Sequence, residues 1–197
     1  MAKTHTMMPL SRTPPSAFSL VKPGVDVMAE QGLGIGKVQV LGADPDAIFC
    51  RHVGCEPPPA RTQIAHGGLL IAWLSPNEWL LTGPEREVAD SLARIGGRGA
   101  DEVFAVDLTH GRASFLVDGT DACDVLASLC PLDFWSAAFP VHAVARSLLG
   151  DVGMFVARLP DVSDAPRFRV VVDQTMAAYA ARMIAGPPNP ARKPNNP

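Results

Sequence analysis

One pattern recurs along the chain and constrains its fold more than any other feature: two apolar strands joined by a short turn and followed by a helix. In its clearest copy, LLIAWL at 69–74 and EWLLT at 78–82 flank Ser75-Pro76-Asn77. Proline and asparagine in so short a connection favour a turn, so these residues predict a hairpin. A helix from Gly83-Pro84 to about residue 95 follows, since apolar residues recur there at helical spacing. Its apolar face consists of Val88, Leu92 and Ile95.

A second copy begins with VFAVDL at 103–108, whose alternation of apolar and other residues with period 2 indicates a half-buried strand. The chain turns at Thr109-His110-Gly111 and returns as ASFLV at 113–117. We expect this short hairpin to bring Asp107 opposite Arg112, close enough to pair. The pair is interpreted either as a register lock, which contributes about 0–1 kcal/mol if exposed, or as a contact to a subunit or ligand.

The remaining elements have the same character. A helix capped by Thr120 or Asp121 completes the second copy. The third copy pairs 147–159 with 168–172 and ends in a helix from about 174 to 185.

Before these copies, KVQVLG at 37–42 predicts a strand, and Asp44-Pro45 predicts the start of a short helix that ends near residue 52. Strands joined by short turns are antiparallel neighbours, and helices that return over one face of a sheet give two layers. The predicted fold is therefore α+β, with two layers and an antiparallel sheet built from strand–strand–helix units.

The two ends differ from this body. Residues 1–17 are polar and contain prolines, and residues 186–197 (GPPNPARKPNNP) are rich in proline. Neither segment can bury enough apolar surface to offset the entropy lost on ordering. We expect disordered tails at both ends of a single domain that extends over 18–185.

Charge and apolar content exclude several classes of protein. A net charge of −3 provides no broad basic field for nucleic acid or an anionic membrane. The longest apolar run, at 69–74, is far shorter than the ~20 residues that span a bilayer. The N-terminus has no apolar core of a secretory signal, so we predict a cytoplasmic protein.

Cys123 and Cys130 lie in an apolar helical pattern and are predicted to be buried free thiols.

No set of residues forms a recognisable catalytic or metal site by spacing. GLGIGK at 32–37 has neither the spacing of a phosphate loop nor a helix after it, and is interpreted as a turn that enters a strand. Cys50 and Cys55 lie on either side of His52, but no second ligand pair follows, which disfavours zinc. We therefore predict no catalytic, cofactor-binding or metal-binding residue in this chain.

The loop PLDFWSAAFP at 131–140 is the strongest candidate for contact with a partner. Its aromatic residues show little periodicity, and apolar aromatics in a loop are costly to leave exposed. They pack either under the domain or against another chain. The candidate subunit-interface residues are Asp107, Arg112, Asp133, Phe134, Trp135 and Phe139.

Several stretches resemble the gamma subunit of heterotetrameric sarcosine oxidase. The most specific are WLSPNEWLLTGP at 73–84, the AVDLTHGR turn at 105–112 and the helix end CPLDF at 130–134. Two further stretches, GLGIGKVQVLGADPDAIF at 32–49 and FPVHAVARSLLG at 139–150, agree in order and spacing. A last stretch is FRVVVDQTMAAYAARMI at 168–184. The chain departs from the family at Arg146, where a neutral residue is expected, in the proline-rich 53–66 loop, and in the tail beyond 186.

The resemblance implies a fold similar to the folate-binding domain of glycine-cleavage aminomethyltransferases. It also implies alpha, beta and delta subunits as partners, which would carry FAD, FMN, NAD and tetrahydrofolate. Such a complex oxidises sarcosine, releases glycine and hydrogen peroxide, and passes the methyl carbon to tetrahydrofolate. The gamma chain in that family is taken to be architectural, so the resemblance implies that this chain is a subunit of an oxidoreductase complex without catalysis of its own.

Two other interpretations remain open at this point. A stand-alone folate- or small-molecule-binding module would need a pocket with a carboxylate to bind a pterin ring, supplied by Asp107 or Asp133. An independent enzyme such as a methyltransferase would need groups that the sequence does not offer by spacing.

Overall fold

A computed structural model describes residues 19–96 and 103–186 of the chain. Within these ranges the strands form two antiparallel sheets. The six-stranded sheet contains, in spatial order, β1 (Ser19–Lys22), β2 (Val25–Ala29), β8 (Arg112–Asp118), β11 (Ala165–Asp173), β10 (Val152–Val162) and β9 (Val144–Leu149). The five-stranded sheet contains β4 (Gln63–His66), β5 (Leu69–Ser75), β6 (Glu78–Pro84), β3 (Leu33–Val40) and β7 (Val103–Asp107). The helices are α1 (Pro45–Val53), α2 (Glu85–Gly96), α3 (Ala122–Ala127) and α4 (Ala177–Ala185).

Each sheet packs two helices on one face. The apolar core under α1 and α2 contains residues from β3, β5, β6 and β7, and the core under α3 and α4 contains residues from β2, β8, β10 and β11. The α+β class with antiparallel sheets is confirmed. The structure contains two such layered units, joined through the sheet faces that carry no helix.

The predicted start of the first helix is confirmed by its capping contacts. Asp44 accepts a hydrogen bond from the backbone N–H of Ala47 through Oδ1, at 3.1 Å, and Pro45 occupies the first turn. The helix ends where Gly54 adopts a left-handed conformation with φ of 93°. Local chemistry therefore fixes both ends of α1.

Glycines in β3 allow α2 to lie against the sheet. The prediction that GLGIGK is a turn was wrong for Gly34 and Gly36, because both lie inside β3 and only Gly32, with φ of 68°, has a turn conformation. A Cβ added at Gly34 would lie 2.8 Å from Cα of Glu85, the first residue of α2. The backbone of the strand and the backbone of the helix approach too closely for any larger residue.

The segment 108–111 passes from one sheet to the other instead of closing a hairpin. Strand β7 pairs with β3 in the five-stranded sheet, whereas β8 pairs with β2 and β11 in the six-stranded sheet. The predicted pairing of Asp107 with Arg112 was therefore wrong. The alternation of apolar and other residues and the short connection at 109–111 indicate two strands. These features do not distinguish a hairpin from a crossover between two sheets.

Some elements escaped the sequence analysis. Strands β1 and β2 lie in a stretch that had been given no structure, and β4 lies within the predicted 53–66 loop. Helix α3 ends at Ala127, whereas the sequence places the stop at Pro131, and Cys123 and Cys130 are buried as expected. The predicted tails at 1–17 and 186–197 lie, apart from Gly186, outside the described residues, so the domain limits stay a prediction. Within residues 19–96 and 103–186 each helix is too short or too polar to span a bilayer.

The two sheets meet through a small apolar contact and a buried ion pair. The apolar contact consists of Ile35, Ala72, Leu80, Val144, Phe155, Ala157 and Val171. Arg169 binds both carboxylate oxygens of Glu30, at 2.7 and 2.8 Å. Its third nitrogen donates to the Thr82 hydroxyl of the other sheet at 3.1 Å. One guanidinium therefore links a strand of each sheet.

The substitution Gly34→Ala tests the close packing of α2 on β3. We expect it to lower the free energy of unfolding by about 1–3 kcal/mol, because the new Cβ meets helix backbone that cannot move alone. Gly153→Ala is the matched control: Gly153 also lies in a strand, and a Cβ there has nothing within 4 Å. Urea unfolding of both variants measures the difference, and equal stabilities would contradict the packing argument.

Candidate functional site

An open cleft of about 690 Å³ lies between the two sheets. Residues of β3, β5 and β6 form one wall, and residues of β8, β9, β10 and β11 form the other. Leu80, Phe155 and Val171, which belong to the apolar contact between the sheets, also line the cleft. The cleft therefore begins where the sheet-to-sheet contact ends, and its volume falls within the range of about 300–1,000 Å³ that is typical of ligand pockets.

The charged groups of the cleft are mostly paired with one another. Lys37 Nζ lies 2.6 Å from Glu78 Oε1, and Arg112 Nη1 lies 2.6 Å from Asp173 Oδ2. Arg146 approaches the same Glu78 carboxylate only to 3.9 Å, and its side chain is 64% exposed. Three cations and two carboxylates line the cleft, which leaves one positive charge in excess at Arg146.

Asp173 has a structural role at the end of β11. Its Oδ1 accepts hydrogen bonds from the Thr175 hydroxyl at 2.7 Å and from the Thr175 backbone N–H at 3.0 Å. These bonds, and then the Arg112 guanidinium, lower the pKa of the Asp173 carboxyl below its ordinary value. A carboxylate with a lowered pKa and occupied oxygens is a poor general base near neutral pH. It fixes the turn that leads into α4.

The cleft combines apolar walls with a small set of charged side chains. Among the described residues that line it, the titratable side chains are Lys37, Glu78, Arg112, Arg146 and Asp173, without histidine, cysteine or tyrosine. No group of three His, Cys, Asp or Glu side chains within residues 19–96 and 103–186 could hold a metal ion. Apolar walls with a surplus guanidinium suit an apolar group that carries a carboxylate.

Two of the carboxylates singled out in the sequence engage their own backbone. Asp107 Oδ1 accepts from the N–H of Thr109 at 2.8 Å, and Asp133 Oδ1 accepts from the N–H of Trp135 at 3.1 Å. Contacts with Thr109, led by its hydroxyl group, lower the pKa of Asp107. Each of these hydrogen bonds closes a turn that begins at the aspartate. Neither the Asp107 nor the Asp133 carboxylate lines the cleft. Neither is therefore placed to bind a pterin ring there.

The aromatic residues of the 131–140 loop divide between core and surface. Phe134 and Phe139 are buried and pack on each other, with ring centroids 5.7 Å apart. Phe134 also contacts Phe168 of β11 at 5.5 Å. Trp135, between them, is 50% exposed. Phe134 and Phe139 therefore belong to the domain's own core, whereas Trp135 lies exposed at the surface.

The cleft residues Lys37 and Glu78 were not foreseen, although both lie in predicted strands. They are 41 positions apart in the sequence, and only the pairing of β3 with β6 brings them together. The sequence does contain one indication of the cleft, since Lys37 is a charged residue in an otherwise apolar strand. Arg146 had been noted as unusual for the family, and Arg112 had been predicted to pair with a different aspartate.

The fold and the cleft define an α+β protein of two antiparallel sheets, in which most of the charged cleft residues are held in ion pairs. A family model described as sarcosine oxidase, gamma subunit, matches residues 41–183, and the chain belongs to that family. The resemblance inferred from the sequence is confirmed.

Individual relatives agree with this assignment. The sarcosine oxidase subunit gamma of Corynebacterium sp. (strain U-96) is 24% identical over 166 residues, covering 78% of this chain and 80% of that one. A solved structure of heterotetrameric sarcosine oxidase from Corynebacterium sp. U-96, in complex with pyrrole 2-carboxylate, matches with a TM-score of 0.71 at 21% identity and covers 82% of each chain. Glycine cleavage system aminomethyltransferase T from Bartonella henselae matches with a TM-score of 0.63 at 12% identity, covering 83% of this chain and 46% of that one. These two structures share the fold.

Replacement of Thr175 by valine tests the electrostatic role of Asp173. Because the folded-state pKa of Asp173 is lowered, its contribution to stability is complete above the unfolded value of about 3.9 and is lost as the pH falls through the folded value. Thr175→Val removes the hydroxyl donor. We expect its Tm deficit against wild type to be constant above about pH 5 and to shrink below about pH 4.

Thr62→Val is the control, because the Thr62 hydroxyl donates to a carbonyl, that of Pro59, and to no carboxylate. Its Tm deficit should not depend on pH. A pH-independent deficit for Thr175→Val as well would contradict the role given to its hydroxyl.

Proposed function

We propose that the chain is a non-catalytic, architectural gamma subunit of a heterotetrameric sarcosine oxidase complex. The observation that carries the proposal is the family match over residues 41–183. The fold shared with a chain of a heterotetrameric sarcosine oxidase supports it. A structural role also agrees with the cleft, where Lys37, Glu78, Arg112 and Asp173 hold one another in ion pairs.

The partners in this proposal are alpha, beta and delta subunits, and the complex works in the cytoplasm in sarcosine catabolism. We place FAD, FMN, NAD and tetrahydrofolate on the partner chains, as the resemblance to the family implies. The complex oxidises sarcosine and transfers the methyl carbon to tetrahydrofolate. This chain contributes surfaces that hold the catalytic chains in place.

The 131–142 loop is a candidate for one of these surfaces. Trp135 is 50% exposed and Val141 is 40% exposed, whereas Phe134 and Phe139 anchor the loop in the core. An exposed aromatic on an anchored loop loses little conformational freedom when a partner covers it. Trp135 and Asp133, whose carboxylate holds the Trp135 backbone, are the residues of the sequence-based set that we retain for this surface. Asp107 and Arg112 remain candidates for contacts elsewhere.

Co-expression tests the proposal. The affinity-tagged chain, produced together with the sarcosine oxidase chains of its source organism, should retain larger flavin-containing chains. The retained complex should release hydrogen peroxide when sarcosine is added. The same tagged chain produced alone is the control, and it should show no sarcosine-dependent peroxide. Purification without any flavoprotein chain would contradict the assignment.

A stand-alone folate-binding function is separated from this one by a titration of the isolated chain with tetrahydrofolate. We expect no heat and no change in Tm, since neither Asp107 nor Asp133 faces the cleft. Saturable heat together with a raised Tm would favour the binding module.

A further inference from the structure

The surface of the cleft continues beyond its walls onto the edge of the five-stranded sheet. In the β3–β7 ladder, Val106 lies opposite Lys37 and Phe104 lies opposite Gln39. Directly opposed residues project from the same sheet face. Lys37 lines the cleft, so Phe104 and Val106 extend the same wall outwards.

This extended wall exposes apolar side chains that no other part of the described chain covers. Phe104 is 51% exposed and Val106 is 46% exposed. On the opposite side of the cleft, Leu148 is 52% exposed and Met176 is 37% exposed. These four residues, which we call the apolar rim, come from β7, from β9 and from the turn before α4. Exposed apolar side chains grouped on both sides of one cleft make it a candidate interaction site.

The rim also adjoins a strand edge that is open within residues 19–96 and 103–186. In those ranges β7 pairs with β3 alone and forms the end of its sheet. Natural proteins normally protect a sheet edge with charge, proline or a covering element. Here the exposed side chains of Phe104 and Val106 lie on the sheet face beside this edge, so an extended segment added to the edge could also cover them.

The charge of the cleft determines what such a segment must carry. Lys37 binds the Glu78 carboxylate at 2.6 Å. Arg146 lies 3.9 Å from the same carboxylate, so its ion pair with Glu78 is the weaker of the two. Arg112 is neutralised by Asp173. The exposed guanidinium of Arg146 is therefore the group that an incoming carboxylate can bind, and it lies two residues from Leu148 on the same strand face.

We infer that the cleft and its apolar rim are the docking site for a segment of a partner subunit, in which an acidic side chain is flanked by apolar side chains. The acidic group pairs with Arg146, and the apolar groups cover Leu148, Phe104 and Val106. A small carboxylate would occupy only the cleft and would leave Phe104 and Val106 exposed. The inference rests on the proposed function, because the segment belongs to another chain of the same complex.

The test uses the co-expressed complex with matched variants of the tagged chain. Arg146→Glu and Val106→Ser should each reduce the amount of partner chain retained by about tenfold. Arg86→Glu makes the same charge change on the exposed face of α2, and Val162→Ser removes a valine of similar exposure, 48%, at the far end of β10. Both controls should retain the partner as wild type does.

A cross-linking experiment identifies the partner segment that binds in the cleft. The photoreactive residue p-benzoylphenylalanine at position 148 should cross-link to one partner segment that contains an acidic residue with apolar neighbours. A cross-link to a segment without an acidic residue, or none in an assembled complex, would overturn the inference. Thermal unfolding of each variant alone checks folding, and Arg146→Gln, which only removes the positive charge, serves if Arg146→Glu is unfolded.

The outcomes separate this inference from the proposed function. If the wild-type chain retains its partners and the cleft variants do so equally well, the docking site is wrong while the subunit role stands. If the wild-type chain retains no flavoprotein chain, the subunit role fails, and the docking site fails with it.

Discussion

The inner faces of the two sheets meet through an apolar contact reinforced by the ion pair between Arg169 and Glu30. Both side chains of the pair are almost buried, at 11% and 12% exposure, and the guanidinium also reaches Thr82 of the other sheet. Removal of one partner of such a pair costs about 3–5 kcal/mol, because the remaining charge is left uncompensated. The bidentate geometry and the third bond to Thr82 hold the two halves in one relative position. The cleft between the sheets depends on that position.

The same contact explains why this chain is suited to assembly. A sheet face that meets another sheet over a small area leaves the rest of both faces available. At that remaining surface the molecule presents apolar side chains and paired charges, with one guanidinium in excess. Such a surface can bind a partner chain specifically, since apolar area contributes affinity and the charge selects the partner.

Local chemistry made much of the fold predictable. The hairpin around Ser75-Pro76-Asn77, the Asp44 cap and the apolar face of α2 are each encoded within a dozen residues, and all were confirmed. The sheet to which each strand belongs was not predictable, because it is decided by contacts between distant residues. Asp107 and Arg112 are close in sequence yet lie in different sheets, whereas Lys37 and Glu78 meet only through the pairing of β3 with β6. The burial of Phe134 and Phe139 likewise required knowledge of where Phe168 lies.

Amide hydrogen exchange on the free chain and on the assembled complex tests most directly whether this chain acts by holding partners at the cleft. We expect slower exchange in the complex for amides of β7 and of β9 near Arg146 and Leu148. The amides of β10 and β11 inside the sheet should change little, because they are already protected in the free chain. Unchanged exchange at β7 and β9 in a fully assembled complex, with protection confined to other surfaces, would contradict it.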